Sequence, residues 1–346
     1  MTIEGSGDRP VWPGKTYDRV MAEPDRTLSE IADVLSACGP ALVLSGAGMS
    51  VQSGIPCYRP WPEPGAPEQE FEAARQWRWN NTVTNNTHST DSGIPDYRGP
   101  DGTRRVTPMH LSEFVGSSQA RQRYWARSFV GWRRFHAARP NAAHHLVTRL
   151  QELGAVGPLI TQNVDGLHQA AGTRDVVELH GNLVEVVCLT CGARIDRPTL
   201  DARMAAQNPG FDVDSDEIRP DGDVRLDAVD VERFVAPACD QCGADTLKPD
   251  VVFFGGAVAK PLVQHCFDLV DAAPSLLVLG SSLQVMSGLR FVRHAARRGI
   301  PVSLITRGPT RGDDLVDHRV DGELGDSLRS LVDLVEAGVR GAAAPR

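Results

Sequence analysis

The sequence predicts an α/β fold, a parallel sheet with helices on both faces and a smaller cysteine-bearing module inserted in it. Helical patterns alternate with short, unbroken apolar runs, which is typical of strands buried between two layers of helices. Two Cys-x-x-Cys pairs interrupt this alternation and indicate the inserted module. The 346 residues, 41% of them hydrophobic and 23% charged, have the composition of an ordinary globular protein.

The predicted elements follow one another in a regular order. Apolar residues at helical spacing from Ile31 to Cys38 predict a first helix, Gly39 stops it, and ALVLSG predicts a buried strand. The order recurs with a helix that ends near Leu153 before the strand GPLIT. It recurs again with the strand SLLVLG, a helix at about 287–298 and the strand PVSLI. Because apolar strands joined by helices pair in parallel, these segments belong to one sheet.

Charge and hydropathy exclude two classes of partner. Aspartate and glutamate total 44 against 36 lysines and arginines, so the formal net charge of -8 offers no general attraction for phosphates. We therefore expect no nucleic-acid partner. No apolar stretch approaches the roughly 18 residues of a membrane span, so we expect no membrane partner and a cytoplasmic location.

Four of the seven cysteines form the pairs Cys188-x-x-Cys191 and Cys239-x-x-Cys242. In a cytoplasmic protein this arrangement favours metal over disulfides, and four thiolates complete the closed tetrahedral set of a structural zinc. The gap between the pairs exceeds the roughly 15 to 20 residues of compact zinc ribbons, which leaves two redox motifs as the alternative.

Polar residues cluster where the predicted strands end. In GAGMS, Gly46 and Gly48 follow the first strand and let backbone approach a phosphate, although Val51 replaces the third glycine of the dinucleotide fingerprint. Further residues follow other strands: Gln162, Asn163, Asp165, His180, Gly280, Ser281 and Ser282. Any one of them could be a helix cap, but parallel strands share one carboxyl edge, so together they predict a ligand site.

Seven motifs occur in a fixed order over residues 41–310: GAGMS, SGIPDYRG, TQNVDGLH, ELHGN, the double Cys-x-x-Cys, KPDVVFFGG and LGSSLQV. In this ordered set the chain resembles the sirtuins, the NAD-dependent protein deacylases. RQRYWARSFVGW, LKPDVVFFG, GPTRGDDL and the long cysteine spacing are similar to class II sirtuins, the group of the mitochondrial lipoamidase and ADP-ribosyltransferase sirtuin. The resemblance implies a Rossmann-like NAD-binding domain, one structural Zn²⁺ and NAD consumed as a co-substrate.

The resemblance also implies roles for individual residues. His180 would act as general base on a ribose hydroxyl, a task that suits an imidazole with a pKa near 6.5. Asn163 would orient the ribose, and Asp165 would hold the nicotinamide carboxamide. The remaining residues implied to contact NAD are Gly46, Ala47, Gly48, Ser50, Asp96, Tyr97, Arg98, Gln162, Val164, Gly280, Ser281, Ser282, Thr306, Arg307, Gly308 and Leu324. Thr306 stands where the family has an asparagine.

The implied partners are acyl-lysine proteins or peptides. Such a peptide would add as a strand between VVFFGG and SSLQV, so backbone hydrogen bonds would supply the affinity with little sequence preference. The residues implied to contact it are Val251, Val252, Phe253, Phe254 and Gly255.

An imperfect repeat is the main departure from the family. SGIPCYRP at 53–60 recurs as SGIPDYRG at 92–99, and a segment rich in Pro, Glu and Asn separates the copies. In the family GAG-x-S continues directly into a single copy that closes over NAD. We favour the second copy for this role because Asp96, Tyr97 and Arg98 keep the family pattern, whereas the first copy has Cys57 in place of the Asp. Continuity with GAGMS favours the first.

The sequence also predicts how the chain is divided. The predicted units are a flexible tail at 1–27, a Rossmann-like domain at 28–182 and 251–337, a zinc module at 183–250 and a second tail at 338–346. The large domain includes an insertion at about 51–91 and a helical segment at about 108–139.

The helical segment carries six arginines and no acidic residue between Glu113 and Glu152. They are Arg121, Arg123, Arg127, Arg133, Arg134 and Arg139. They form either a solvated face or a site where one or two of them receive the carboxylate of an acidic acyl group. The aromatic face is expected to be core; it consists of Trp125, Phe129, Trp132 and Phe135.

The leading functional hypothesis is an NAD-dependent protein-lysine deacylase that acts on acetyl, longer or acidic acyl groups. The products would be nicotinamide, O-acyl-ADP-ribose and free lysine. The alternatives are a protein mono-ADP-ribosyltransferase and, if the insertion blocks the cofactor loop, a noncatalytic NAD or ADP-ribose sensor.

Overall fold

A computed structural model describes residues 24–53, 55, 67, 69, 109–211, 213, 224 and 226–343. The predictions for Asp96, Tyr97 and Arg98, for residues 1–23 of the first tail and for nearly all of the insertion lie outside the described residues.

Among the described residues, a parallel sheet of six strands lies at the centre of the fold. The strands are β1 (Ala41–Ser45), β2 (Val156–Thr161), β3 (Val176–Glu178), β7 (Leu276–Leu279), β8 (Val302–Ile305) and β9 (His318–Val320). Their order is β3-β2-β1-β7-β8-β9, and every neighbouring pair is parallel. The chain extends the sheet from β1 toward β3 and then crosses over to β7. This reversal makes a crevice at the carboxyl ends of β1 and β7, the place where open parallel sheets bind ligands.

Helices cover both faces of the sheet, as the alternating pattern predicts. One face carries α1 (Pro24–Cys38), α4 (Ala142–Glu152) and α10 (Leu324–Ala343), whose apolar side chains, including Ile31, Leu150 and Leu328, share one buried cluster. The other face carries α8 (Lys260–Ala272) and α9 (Met286–Arg298), which bury Val270 and Phe291 in a second cluster. Both layers are apolar on the inside because the strands between them are buried on both sides.

Two predicted boundaries are wrong by a few residues. The first helix begins at Pro24, inside the segment predicted as a tail, because the helical pattern continues upstream of Ile31. The last helix continues to Ala343, beyond residue 337 where the C-terminal tail was expected. Val332 and Val335 are buried in this helix, whereas Val339 is exposed, so the turn after residue 337 extends the helix beyond the core.

The part of the inserted module that the structure describes has its own antiparallel sheet of three strands in the order β5-β4-β6. Its elements are β4 (Gly181–Cys188), β5 (Arg194–Asp196), α6 (Arg197–Gln207), α7 (Ala228–Arg233) and β6 (Leu247–Val251). The helical segment before it forms α2 (Leu111–Gly116) and α3 (Ser118–Ala137), and the short α5 (Leu167–Ala170) follows β2.

The aromatic face of α3 is buried, as expected. Trp125 and Phe129 lie in the core of the module, and Trp132 and Phe135 lie in a smaller cluster with Leu183. Trp125 Nε1 donates to the Leu247 carbonyl at 3.0 Å, so the indole also ties α3 to β6. Helix α3 therefore packs both on the module and on Leu167, which follows β2.

The predicted arginine set is divided: Arg133 and Arg139 are exposed, as a solvated face requires, whereas Arg121 and Arg123 are held by this chain's own groups. Arg121 is buried, and its guanidinium donates to Asp245 at 2.8 Å and to the carbonyls of Phe114 and Val115. Arg123 pairs with Glu113. Since its guanidinium is buried and its donors are already used, Arg121 does not receive the carboxylate of an acyl group.

In the described part of the chain no helix combines the length and apolar character needed to cross a membrane.

Candidate active site

Two loops meet at the crevice between β1 and β7, and glycine makes their contact possible. A Cβ on Gly46 would lie 2.8 Å from Ser281 Cβ, and a Cβ on Gly48 would lie 2.8 Å from Gly280 Cα. Gly280 itself has φ +59, in the left-handed region that favours glycine. The two glycines after β1 are thus required by close packing against the loop after β7. Ala47 begins a 3-10 turn, Ala47–Met49, which contains Gly48 and is flanked by Gly46 and Ser50.

A hydrogen-bonded network of polar side chains lies beside these loops. Ser50 Oγ donates to Asp165 Oδ2 at 2.6 Å, and Asn163 Nδ2 donates to Ser50 Oγ at 3.0 Å and to the Gly46 carbonyl at 3.2 Å. Asp165 Oδ1 accepts from the Leu167 amide at 3.0 Å. Burial raises the pKa of Asp165, and the bonds from Ser50 and Leu167 offset part of that rise. The structure therefore brings Ser50, Asn163 and Asp165 together as predicted.

Gln162 connects this network to the loop after β7. Its Nε2 donates to Ser281 Oγ at 3.0 Å, and its backbone amide donates to the Ser45 carbonyl at 3.0 Å. The first turn of α9 presses against it, since a Cβ on Gly288 would lie 2.8 Å from Gln162 Nε2. Gln162 is thus fixed by β1, by the loop after β7 and by α9.

His180 lies between β3 and β4, where the sheet passes into the module. Its Nδ1 is 2.8 Å from the Gln162 carbonyl oxygen, and its Nε2 is 2.9 Å from Ser287 Oγ. Burial lowers the pKa of His180, and the nearby charge of Arg290 lowers it further, whereas the bond to Gln162 opposes them. The ring is therefore held neutral with a defined orientation. Ser287 carries no motif of its own, so the sequence did not single it out.

The predicted residues after β8 form a loop of their own, which is held by contacts with residues 320–323. The Thr306 amide donates to the Val320 carbonyl at 3.1 Å, and the Gly308 amide donates to Asp321 Oδ1 at 2.8 Å. Arg307 pairs with Glu323 at 2.7 Å.

Three other predicted NAD contacts are tied into neighbouring elements. The Ser282 carbonyl accepts from the Arg311 amide at 3.0 Å, and the Val164 carbonyl accepts from the Leu183 amide at 3.1 Å. Leu324 begins α10 and has its side chain buried in the apolar cluster that also contains Met49.

The predicted peptide-binding segment runs beside His180. The Val252 amide donates to the His180 carbonyl at 2.8 Å, and the Phe254 carbonyl accepts from the Leu111 amide at 2.8 Å. Phe253 points into the module core, with its ring 5.1 Å from that of Phe114. Val251 and Val252 are half-buried, and Gly255 is exposed at φ +75.

Lys248 supports this segment from inside the module. Its Nζ donates to the carbonyls of Pro249 at 2.9 Å and Val251 at 2.5 Å, and it lies 4.5 Å above the Phe253 ring. Burial lowers the pKa of Lys248 to about 8. Lys248 begins the motif KPDVVFFGG, but the sequence assigned it no role, and its partners all belong to its own strand and the turn after it.

The four predicted zinc ligands converge. The ligand atoms of Cys188, Cys191, Cys239 and Cys242 all lie within 4.8 Å of one another. Sulfurs of opposite pairs are 3.7 Å apart, both for Cys188 with Cys242 and for Cys191 with Cys239. A tetrahedron with Zn–S bonds of about 2.3 Å has edges of about 3.8 Å, so this cluster fits Zn²⁺.

The two pairs have the same local geometry. The Cys188 amide donates to Ala193 and the Cys239 amide to Ala244, each at 2.8 Å, and a glycine follows each second cysteine at positive φ. These matching turns aim all four thiols at one point, which favours a metal set over two independent redox motifs.

Comparison with known protein families agrees with this geometry. A model described as the Sir2 family matches residues 87–287. NAD-dependent protein deacetylase 1 of Streptomyces coelicolor is 53% identical over 246 residues, covering 71% of this chain and 82% of that protein. An NAD-dependent protein deacetylase of Xanthomonas campestris pv. campestris is 48% identical over 245 residues, covering 70% of this chain and 83% of that protein.

Solved structures share the fold. Sir2Tm bound to a propionylated peptide superposes with a TM-score of 0.61 at 23% identity, covering 90% of this chain and 99% of that one. Sir2Af2 bound to a myristoylated histone peptide superposes with a TM-score of 0.58 at 22% identity, covering 92% of this chain and 99% of that one.

Proposed function

The chain belongs to the Sir2 family of sirtuins, and from this premise we propose that it is an NAD-dependent protein-lysine deacylase. It transfers the acyl group of a modified lysine to ADP-ribose and releases nicotinamide and the free lysine. The observation that carries the proposal is His180, a neutral, oriented imidazole one hydrogen bond away from the Gln162–Asn163–Asp165 segment. A general base must be unprotonated and positioned at working pH, and both conditions hold here.

The side chains in the crevice suit NAD as a ligand. Gln162 and Asn163 offer amides, Ser50 and Ser281 offer hydroxyls, and Asp165 offers a buried carboxylate. Such groups can bind ribose hydroxyls and a carboxamide. When bound, NAD supplies an electrophilic ribose carbon once nicotinamide departs. Within the chain, Asn163 orients the sugar, Asp165 holds the carboxamide and His180 takes a proton from a ribose hydroxyl.

We propose that the second SGIP copy closes over the cofactor. The family match begins at residue 87, so it includes Asp96, Tyr97 and Arg98 and excludes the first copy. The start of the first copy has a structural partner instead, since Ser53 Oγ accepts from Asn141 Nδ2 at 3.0 Å and Ile55 is buried beside Trp132. Loss of NAD cleavage in Arg59→Ala, with normal cleavage in Arg98→Ala, would reverse this assignment.

The acyl-lysine peptide is proposed to add beside Val252 and Gly255, next to the carbonyl of His180. The ladder pairing of Val251 with Gly181 and the bridge of Phe254 with His110 support strand addition as the binding mode. We also propose that the chain groups with class II sirtuins, on its motifs RQRYWARSFVGW and GPTRGDDL, and that it works in the cytoplasm, where four thiolates persist in reduced form.

An acyl-peptide panel with NAD and detection of products by mass spectrometry tests the proposed function. The panel contains acetyl, lipoyl and glutaryl lysine peptides and is run on the full chain, on His180→Ala and on a variant lacking residues 51–89. We expect wild-type turnover of at least one peptide, with nicotinamide formed in equal amount. Replacement of His180 should lower kcat by about 100-fold to 10,000-fold, the usual contribution of a general base.

Other outcomes would identify another activity. Label from NAD found on protein rather than on O-acyl-ADP-ribose would indicate a mono-ADP-ribosyltransferase. Binding of NAD without nicotinamide release would indicate a sensor. Recovery of nicotinamide release on deletion of residues 51–89 would show that the insertion blocks the cofactor loop.

A further inference from the structure

The ring of His180 has a hydrogen-bond partner on each nitrogen. Nδ1 faces the Gln162 carbonyl oxygen, which can only accept, so Nδ1 carries the ring proton. In the neutral ring Nε2 then holds the lone pair, and the Ser287 hydroxyl at 2.9 Å donates to it. The nitrogen that must act as the base is therefore already occupied by a hydroxyl of this chain.

Burial and charge keep the ring in this neutral form. Burial is the largest cause that lowers the pKa of His180, and the charge of Arg290, one turn along α9 from Ser287, acts in the same direction. A protonated ring would lose the acceptor on Nε2. Ser287 therefore meets a lone pair rather than an N–H at neutral pH.

The position of Ser287 is fixed by its element. It is the second residue of α9, and the Leu289 amide donates to the Val285 carbonyl at 3.2 Å to close the first turn. Gly288 brings that turn into contact with Gln162, whose carbonyl holds the other side of the ring. The first turn of α9 and the backbone carbonyl of Gln162 thus define the two sides of the His180 ring.

We propose that Ser287 caps the lone pair of His180 in the free enzyme and gives it up to a ribose hydroxyl when NAD binds. An imidazole nitrogen has a single lone pair in the ring plane, so two hydroxyls compete for it. Ser287 is in this sense a positioning residue: its hydroxyl occupies Nε2 of His180 until NAD binds, and NAD binding is weakened by this one displaced hydrogen bond. The inference rests on the proposed function, because it assigns the competing hydroxyl to NAD.

Calorimetric titration of NAD into Ser287→Ala tests the competition. Removing the cap should lower the Kd for NAD by about twofold to tenfold, the factor that one neutral hydrogen bond supplies. The gain should appear in KM rather than in kcat. Ser287→Thr keeps a hydroxyl and should bind NAD like the wild type, and Met286→Ala controls for disturbance of the same helical turn. Unchanged or weaker binding in Ser287→Ala would overturn the proposal.

Nitrogen NMR of the free protein, labelled with ¹⁵N-histidine, tests the contact without any ligand. The His180 Nε2 resonance, assigned by its absence in His180→Gln, should move in Ser287→Ala and stay in place in Ser287→Thr. An unmoved resonance contradicts the cap itself. A tenfold or greater fall in kcat at unchanged KM would show instead that Ser287 passes the proton on. A wild type that binds no NAD would overturn the proposed function and the exchange together, while the NMR result still reports on the cap.

Discussion

His144 and His168 are buried histidines whose rings lie 5.0 Å apart behind the polar network. His144 Nδ1 accepts from the Asn141 amide at 3.3 Å, and His168 Nε2 lies 3.0 Å from Ser45 Oγ, which itself donates to Thr161. In the neutral rings this leaves a donor on His144 Nε2 and an acceptor on His168 Nδ1, and neither has a hydrogen-bond partner among the described residues. Protonation of His144 would place an N–H on Nδ1 against the Asn141 amide, so this contact favours the neutral ring.

This pair makes stability depend on pH. Burial is the largest cause that lowers the pKa of His144 to about 4 and that of His168 to about 3, so below pH 6.5 the unfolded chain binds protons that the folded chain does not. Stability should fall as the pH drops from 6.5 toward 4, by on the order of 3 kcal/mol for His144. Urea unfolding at several pH values measures the slope.

His144→Gln should reduce that slope. Glutamine is an ordinary partner at the third position of a capping box, so it can still accept from the Asn141 amide while removing one titrating group. His265→Gln, at an exposed position on α8, is the matched control and should keep the wild-type slope. Equal slopes for both variants would contradict the assignment.

At the scale of single residues, the sequence identified the side chains that follow strands. Asn163, Asp165 and His180 come directly after apolar runs, so their place at the sheet edge could be predicted. Ser287 and Asn141 could not, because each acts through a partner far away in the chain, His180 for the one and Met49 for the other. Sequence periodicity carries no information on such contacts.

Helix α9 shows how one element serves both packing and the site. Its apolar side, with Leu289 and Val292, covers the sheet, while its first turn brings Ser287 and Gly288 against His180 and Gln162. The sequence predicted the helix and its span to within a residue. The first turn of α9 can approach the Gln162 side chain this closely because Gly288 has no Cβ.

Gly288→Ala should therefore lower NAD affinity more than it lowers the stability of the fold. The added Cβ would lie 2.8 Å from Gln162 Nε2 and should displace that amide from Ser281, which weakens NAD binding by about twofold to tenfold. Calorimetric titration measures the loss.

A second glycine provides the control. Gly338→Ala in α10 adds a Cβ whose nearest neighbour, Ser36 Oγ, is 3.9 Å away, and helix propensity should raise stability by about 0.5 to 1 kcal/mol without affecting NAD. Undiminished NAD affinity in Gly288→Ala would contradict the contact described for Gln162.

Helix α3 shows what an amphipathic pattern predicts about an element and what it does not. The spacing of its aromatic residues correctly predicted a buried face, yet Arg121 is buried as well because Asp245 and two carbonyls of α2 surround its guanidinium. The first of these partners comes from the module. An amphipathic pattern therefore located the helix but not the surroundings of its charged side.

For the whole molecule, the cysteine cluster links the module to the site. Cys188 ends β4, the strand that begins beside His180, and β6 leads from the cysteine turns to the predicted peptide segment. Loss of the metal should therefore disorder the module core and then the segment that receives the peptide.

Metal analysis and thermal unfolding test this link. The wild type should hold one Zn²⁺ per chain, and Cys239→Ser or treatment with a strong chelator should remove the metal, lower the Tm and abolish deacylation, because structural zinc contributes directly to folding. Cys38→Ser, at an exposed cysteine outside the cluster, should retain the metal and its Tm. A Cys239→Ser variant with normal metal content would rule out the four-cysteine site.

The sequence by itself determined the layered α/β architecture, the cysteine set and the family, because these depend on local periodicity and on short motifs in a fixed order. Only the tertiary structure decided which groups meet. The order β3-β2-β1-β7-β8-β9 brings residues after β1, β2, β3 and β7 to one edge. There burial makes His180 neutral, Ser287 occupies its lone pair and Asp165 is desolvated. Those properties come from neighbours distant in the chain, which no local pattern encodes.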